Sequence, residues 1–515
     1  MNGRIRKLLM STPLLLSLMG LQTAPAMAAN RKAYGGRLEL SLGGPVTSID
    51  PAQFTTAQEL ELARQVHDTL FRMAADGTIV PSLAQELPRV STGGKHWVIH
   101  LRPGAIFHDG TAVTSTEVLA TWQRLLKPQT RSPHWWLLAV VEGAMAFRQG
   151  KSKRISGLER INKLSFRIRL VAPIPAFLQV LSAVPTAPLP GRLLAGKLSD
   201  PEVLSGSGPF TIASLGSGSE TLRLQAFVGH GQGRPFLDQV LYYAFPSTHA
   251  ARLAFEVEEI HLTDLPARSA GKQHSSYTGR QCRMTFLVLN QDRLRQIPEG
   301  FRHAVDQAVD RKSLVRYLIG KEGRATDEMI VLEPADTVRQ APTADPVSAK
   351  QFFSAFYSQR SADQSALLFL VPAEQSLLRA IAERIQLNLV DVGARVSVQS
   401  LSRESYQQRV AAGDYDFILG QPLPLVRDPY LQLLGLVATA VGDQATEEVL
   451  QISKDLPQDA NRDAVVREMA RRYQLRLPRL PLFQFGRRVF YQESVRDYVQ
   501  GPTGLTDLAE VWLSK

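Results

Sequence analysis

Residues 367–419 read LLFLVPAEQSLLRAIAERIQLNLVDVGARVSVQSLSRESYQQRVAAGDYDFIL. The first five form a fully apolar run of strand length. Over 374–391, Leu377, Leu378, Ile381, Ile385 and Leu389 recur at helical spacing, and Gly393 ends the pattern. Residues 395–401 return to strand character, a helix over 405–412 stops at Gly413, and 415–419 is strand again. Strand, helix, strand, helix, strand predicts a parallel sheet with right-handed crossovers, and so an α/β fold. Open parallel sheets take ligands at the carboxyl ends of their strands, which directs attention to the loop after Leu419.

The N-terminal half repeats the two-layer theme. Residues 37–42 alternate as a short strand, and Ile49-Asp50-Pro51 begins a turn. A helix is predicted over 56–73, with Leu62, Val66 and Leu70 at steps of four, broken by Asp76-Gly77. Trp97, Ile99 and Leu101 share one side of a strand. Thr114 with Glu117 three residues on is a capping-box pattern, heading a helix that carries Val118, Trp122, Leu125 and Leu126 and is stopped by Pro128. No solenoid repeat or low-complexity tract interrupts the chain. Pro, Ala and Gly cluster at 185–196 and 335–346, which read as connections between lobes.

The chain has 515 residues, enough for about three domains at roughly 150 residues each. With 44% hydrophobic and 21% charged residues, and 36 glycines and 31 prolines, its composition is that of a globular protein and excludes collagen-like and disordered classes. Its single cysteine, Cys282, rules out an intramolecular disulfide and any CxxC motif. Arg4, Arg6 and Lys7 precede an apolar stretch over 8–21, and Ala26-Met27-Ala28 follows in the pattern of a signal peptidase site. The stretch falls short of the roughly 20 residues that a bilayer requires. Residues 1–28 are thus predicted to be a cleaved secretory signal, with no lipid anchor at this end and a soluble product in a periplasm. Three of the eleven net positive charges lie in that segment, leaving +8 on the remainder. Those charges are dispersed among acids, so they read as solvated surface, without a nucleic-acid partner.

A search for catalytic chemistry returns little. The chain contains no G-x-S-x-G elbow, phosphate-binding Walker loop or H-E-x-x-H helix. His96 and His100 fall on a predicted strand, on the face opposite Trp97, and read as a solvent-facing edge. Asp414 and Asp416 share a strand face but lack a third acid at calcium-loop spacing. Cys282 heads an apolar strand and reads as a small buried hydrophobe. No catalytic residue, metal site or cofactor is assigned. A dispersed catalytic constellation would leave no local signature, yet the pattern favours binding over catalysis.

Several segments together resemble the family 5 extracellular solute-binding proteins, the oligopeptide- and dipeptide-binding components of ABC importers. They are Ser48-Ile49-Asp50-Pro51, Ala75-Asp76-Gly77-Thr78-Ile79-Val80-Pro81-Ser82-Leu83-Ala84, and Leu101-Arg102-Pro103-Gly104-Ala105-Ile106-Phe107-His108-Asp109-Gly110-Thr111. Gly206-Ser207-Gly208-Pro209-Phe210, Arg234-Pro235-Phe236-Leu237-Asp238 and Phe301-Arg302-His303-Ala304-Val305-Asp306 with Asp310-Arg311 follow in the same order. The resemblance implies an α/β, two-lobed periplasmic binding-protein fold of class II type with an inserted N-terminal subdomain. It divides the chain into lobe I (29–70, 204–277 and 485–515), the insertion (71–203) and lobe II (278–484). It also implies a monomer without cofactor that closes around a peptide or other small solute and hands it to the permease subunits of an ABC transporter. Most motif residues have structural work: Asp109-Gly110 as a turn, Gly206 and Gly208 as a tight re-entry, Asp310-Arg311 as helix support.

Peptide binders of this family set an aspartate against the ligand's ammonium within a W-x-x-D-Y segment. Here Pro422 and Leu425 stand where the Trp and the Asp are expected. A blocked or cell-wall peptide, or a non-peptide solute, therefore stays open beside an ordinary peptide. A periplasmic hydrolase and a receptor-like subunit that docks without carrying solute are further alternatives. The candidate ligand contacts are Val46 and Ser48 after the first strand, Trp135 and Trp136 in the insertion, Asn290 at the end of a strand, and Gln421 and Asp428 around the altered loop.

Overall fold

A computed structural model describes residues 32–42, 46, 48–194, 205–215, 220–264, 275–294, 300–331, 339–358 and 366–514. The predicted signal segment lies outside them, as do parts of the two Pro/Ala/Gly-rich connections. The stretch quoted above folds as read, with boundaries moved by one or two residues. Strands Leu367–Pro372, Val396–Leu401 and Phe417–Gly420 alternate with helices Ser376–Asp391 and Arg403–Ala411. Leu367–Pro372 runs parallel to both of its neighbours, with Phe369 opposite Val398 and Phe417.

The sheet holding this trio is mixed, not wholly parallel. Its strand order is Gly323–Ala325, Arg479–Phe485, Arg283–Leu289, Phe417–Gly420, Leu367–Pro372, Val396–Leu401. Arg283–Leu289 is antiparallel to both neighbours. The cause lies in the connectivity. A second, seven-stranded sheet is ordered Ser275–Thr278, Arg488–Tyr491, Leu262–Asp264, Arg37–Leu42, Gln239–Ala244, Glu220–Ala226, Phe210–Leu215. The chain leaves it through 279–282 and returns through 486–487, where Gly279 N–H donates to the Arg487 carbonyl at 2.8 Å. Outgoing and returning strands side by side must oppose each other.

A third, antiparallel sheet is ordered Arg89–Val90, His96–His100, Ser165–Arg169, Leu158–Asn162. It is covered by the Ser115–Leu126 helix, whose capping box forms as read: Thr114 and Glu117 each satisfy the other's backbone. Trp122 is fully buried and its indole donates to the Thr186 carbonyl at 3.0 Å. The core here continues through the short turn Trp135–Leu138 into helices Pro429–Ala440, Asp443–Ile452 and Arg462–Gln474. The 278–484 stretch thus feeds two cores, the second lying on its own sheet.

One predicted helix is shorter than its periodicity suggests. It ends at Val66, and Phe71–Met73 is instead a strand paired with Ile79–Pro81. The reason lies far along the chain. Gly208 N–H takes the Val66 carbonyl at 2.9 Å, and a Cβ on Gly206 would sit 1.9 Å from that oxygen. Another segment occupies the place of the next helical turn. Leu70 is still buried, but in a different core from Leu62 and Val66.

The other motif residues are structural. Asp50 is 2% exposed, accepts from Arg124 Nη1 at 2.9 Å and caps Ala52 N–H at 3.0 Å. Asp310 caps the Arg311–Leu314 turn, and buried Arg311 donates to the Pro481 carbonyl at 2.7 Å. Asp414 and Asp416 sit just before their strand and share Arg293, at 3.0 and 3.2 Å.

Candidate functional site

Beyond Gly420, residues 421–428 belong to no helix or strand: Pro422 and Pro424 supply no N–H, and Leu425 N–H turns back to the Leu423 carbonyl at 2.9 Å. This segment stands between two cavities, of about 840 and 460 Å³, and residues 421–424 belong to the walls of both. The larger cavity runs along the last strand of the trio, from Tyr415 before it through Ile418 to Gly420, whereas Pro372 at the carboxyl end of the central strand lines the smaller one.

Its floor follows from strand alternation. Met284, Phe286 and Val288 of Arg283–Leu289 share the face that lines the cavity, whereas Leu287 enters the core of its own sheet and Leu289, in that core too, reaches the cavity only at the strand's end. Opposite them runs one helical face of Pro429–Ala440: Gln432, Gly435, Leu436 and Thr439. Trp136 closes that wall by lying flat on Gly435, where an added Cβ would come within 2.9 Å of the indole. His134 borders the same space; burial lowers its pKa to about 4, and its Nε2 donates to the Phe54 carbonyl at 2.7 Å.

The cavity draws together three of the seven residues singled out in the sequence: Trp136, Asn290 and Gln421. Gln421 is exposed and donates to Thr285 Oγ1 at 3.1 Å. Asn290 touches the cavity, but its amide is already engaged. Its Nδ2 donates to Gly413 and Tyr415 carbonyls at 2.7 and 2.9 Å, and its Oδ1 accepts Asp292 N–H at 3.0 Å. The other four lie off both cavities. Val46 packs on the core of the seven-stranded sheet, and Ser48 Oγ accepts Asp50 N–H at 3.2 Å. Trp135 is buried beneath the Arg148 guanidinium, 3.9 Å from its ring centre. Asp428 caps Leu431 N–H at 3.0 Å and is clasped by Arg462 at 2.6 and 3.1 Å. That carboxylate is fully committed within the protein.

Two residues of the cationic lining, Arg467 and Arg479, escaped sequence reasoning, whereas Arg427 lies in the altered loop and could be read from the sequence as a charge for an anionic ligand. Arg427, Arg467 and Arg479 all reach the larger cavity, against two acids, Asp292 and Asp463, which are both exposed. Arg479 opens the last strand of its sheet, and burial lowers its pKa to about 10. An arginine heading an apolar strand just after Pro478 was the available signal, but nothing local shows where that strand lies.

The smaller cavity is lined by matched charges. Arg403 meets Glu59 at 3.1 Å, Arg487 pairs with Glu61 and with Asp264 (2.7 Å), and Arg488 pairs with Glu322. Glu59 is fully buried, and its other oxygen caps Thr55 and Thr56 N–H at 2.9 and 3.1 Å. The Arg403 pair therefore ties the six-stranded sheet's Arg403–Ala411 helix to the Ala57–Val66 helix beside the seven-stranded sheet. Gln179 makes a second tie, accepting Arg427 and Asp428 N–H at 2.7 and 3.0 Å. The two cavities thus adjoin each other across residues 421–424, with ties on either side.

Residues 78–443 match the sequence profile described as bacterial extracellular solute-binding proteins, family 5 middle. The periplasmic murein peptide-binding protein MppA of Escherichia coli K12 is 22% identical over 416 residues, covering 77% of this chain and 76% of that protein. Its solved structure superposes with a TM-score of 0.82, at 19% identity, over 93% of this chain and 98% of that one. Di/tripeptide-binding protein 2 of Pseudomonas aeruginosa is 23% identical over 505 residues, covering 90% and 92%. The binding protein AgaA of A. tumefaciens R10, solved with agropinic acid, matches with a TM-score of 0.78 and 21% identity over 93% and 99%.

Proposed function

The chain belongs to family 5 of the bacterial extracellular solute-binding proteins, and on that footing we propose that it captures peptides by lobe closure and delivers them to the permease of an ABC importer. The observation that carries this reading is the cavity of about 840 Å³ between the six-stranded sheet and the Thr55 and Trp136 segments outside it, with the Arg403 to Glu59 tie at the adjoining cavity. Binding free energy drives closure, and the closed shape is what a permease recognises. Main-chain hydrogen bonds hold an extended peptide, while its side chains lie against Met284, Phe286 and Trp136. The lobes are taken as 29–70, 204–277 and 485–515 for the first and 278–484 for the second, with 71–203 inserted. Residues 1–28 are taken as a cleaved signal, and the product works in the periplasm as a monomer.

The relatives MppA and di/tripeptide-binding protein 2 support peptides as the solute class. Family members bind and do not catalyse, so peptide should be retained intact. The test is unfolding of the protein with defined tripeptides: at one hundred times its dissociation constant a true ligand adds about 2.7 kcal/mol. No gain with any peptide would reject the reading, and release of cleaved peptide would favour the hydrolase. A second reading, a non-peptide solute, draws on Pro422, Leu425 and the spent Asp428, which leave the altered loop without a free carboxylate for an ammonium. The neighbour AgaA with its agropinic acid gives that reading a precedent.

A further inference from the structure

Arg479 stands apart among the charged groups of the larger cavity. Its Nη2 makes one long hydrogen bond, to Thr439 Oγ1 at 3.3 Å, and its Nε is buried without a partner. Among the described residues no carboxylate lies within ion-pair distance of it, and the nearby Tyr415 phenol, whose pKa burial raises, is uncharged near neutral pH. Arg467, on the Arg462–Gln474 helix, reaches the same cavity, and its Nε too is buried and unpartnered. The two acids that border the cavity, Asp292 and Asp463, are exposed, and of the acids nearby Asp428 is held by Arg462 and Asp414 and Asp416 by Arg293. A guanidinium kept in a water-poor wall without a counter-charge is unfavourable unless a ligand supplies one. The wall around it is apolar on the Met284 and Phe286 side, and the Thr439 hydroxyl beside it already donates to the Gly435 carbonyl at 2.8 Å.

We propose that the solute is acidic, with a carboxylate that docks on the Arg479 guanidinium beside Thr439 and an apolar body against Met284, Phe286 and Trp136. A planar guanidinium accepts a carboxylate through paired N–H donors. The same wall repels an unpaired ammonium, so a free peptide amino terminus points away from it. The inference rests on the solute-capture reading and narrows its substrate class.

The test is calorimetric titration of the protein with trialanine, acetyl-trialanine, trialanine amide and galacturonate, repeated with Arg479→Gln and Arg479→Lys. Trialanine and acetyl-trialanine are expected to bind at least tenfold more tightly than the amide. Arg479→Gln removes the preference for the acids over the amide, while Arg479→Lys recovers part of it. The comparison of acid with amide on the unaltered protein needs no variant, so a misfolded variant does not shield the proposal. Equal affinity for acid and amide, or acids untouched by Arg479→Gln, overturns the inference and leaves peptide capture standing. Binding of galacturonate alone, lost in Arg479→Gln, rejects peptides and sustains the acidic solute. Failure of every acidic probe overturns both.

Discussion

At the scale of single residues, close approach governs the site. Gly435 leaves room for the Trp136 indole, and Gly435→Ala would force an added methyl to within 2.9 Å of it. Overpacking of this kind costs about 1–3 kcal/mol, and here the yielding group is a cavity wall. Urea unfolding should show that loss, and titration should show weaker solute binding; unchanged affinity would mean that Trp136 does not shape the site. Asp50 is the other sensitive position. Asp50→Ala leaves the Arg124 guanidinium, 19% exposed, without its carboxylate, a loss of about 3–5 kcal/mol by urea unfolding. Asp50→Leu combined with Arg124→Met should recover most of it. Residues like these were legible as motifs, since Asp50-Pro51 and Gly206-Ser207-Gly208 advertise turns. Ligand contacts were not. Trp135 and Trp136 are adjacent on one tight turn and so point apart, and no local pattern says which one meets a cavity. Asp428 looked available until Arg462, 34 residues on, was seen to claim it.

Among elements, those defined by local periodicity came through and those ended by distant contacts did not. The trio of parallel strands and its two helices could be drawn from residues 367–419 because apolar spacing and Gly393 and Gly413 lie within that stretch. The helix starting at Ala57 could not be bounded, because its stop at Val66 is imposed by residues 206–208. Nor could the mixed character of the sheet be read, as it arises from two crossings separated by some two hundred residues of chain. The Arg403 to Glu59 tie joins two helices on different sheets and gives an element-level prediction. Arg403→Met strips the guanidinium from a fully buried carboxylate in the closed form. Solute affinity should fall at least tenfold, the equivalent of about 1.4 kcal/mol, and titration reads it. Full affinity in that variant would show that the tie does not hold the closed state.

For the whole molecule, buried histidines set the acid limit. Burial lowers the His67 pKa to about 3, helped by the charge of His108, and lowers His134 to about 4. The unfolded chain binds protons at both positions near pH 6.5. Between pH 6.5 and about 4 it therefore holds more protons than the folded chain, and stability falls as pH falls, by about 1.4 kcal/mol per unit for each histidine. His230 acts on the other side. Burial opposes its charge, but the Asp68 carboxylate at 2.9 Å prevails and raises its pKa. Its contribution is complete below pH 6.5 and fades as pH rises through its folded value. The urea midpoint should thus drop between pH 6.5 and 5.0, and a flat profile over that interval would contradict the neutral assignment of His67 and His134.

Enclosure of an intact solute by closure of two lobes is the claim on which everything else depends. Native mass spectrometry of the protein after incubation with an equimolar mixture of random tripeptides tests it most directly. The expected spectrum shows one uncleaved tripeptide per chain, with acidic sequences enriched over amidated controls. A chain that stays unladen, or a mixture whose peptides have been cut, would contradict the account.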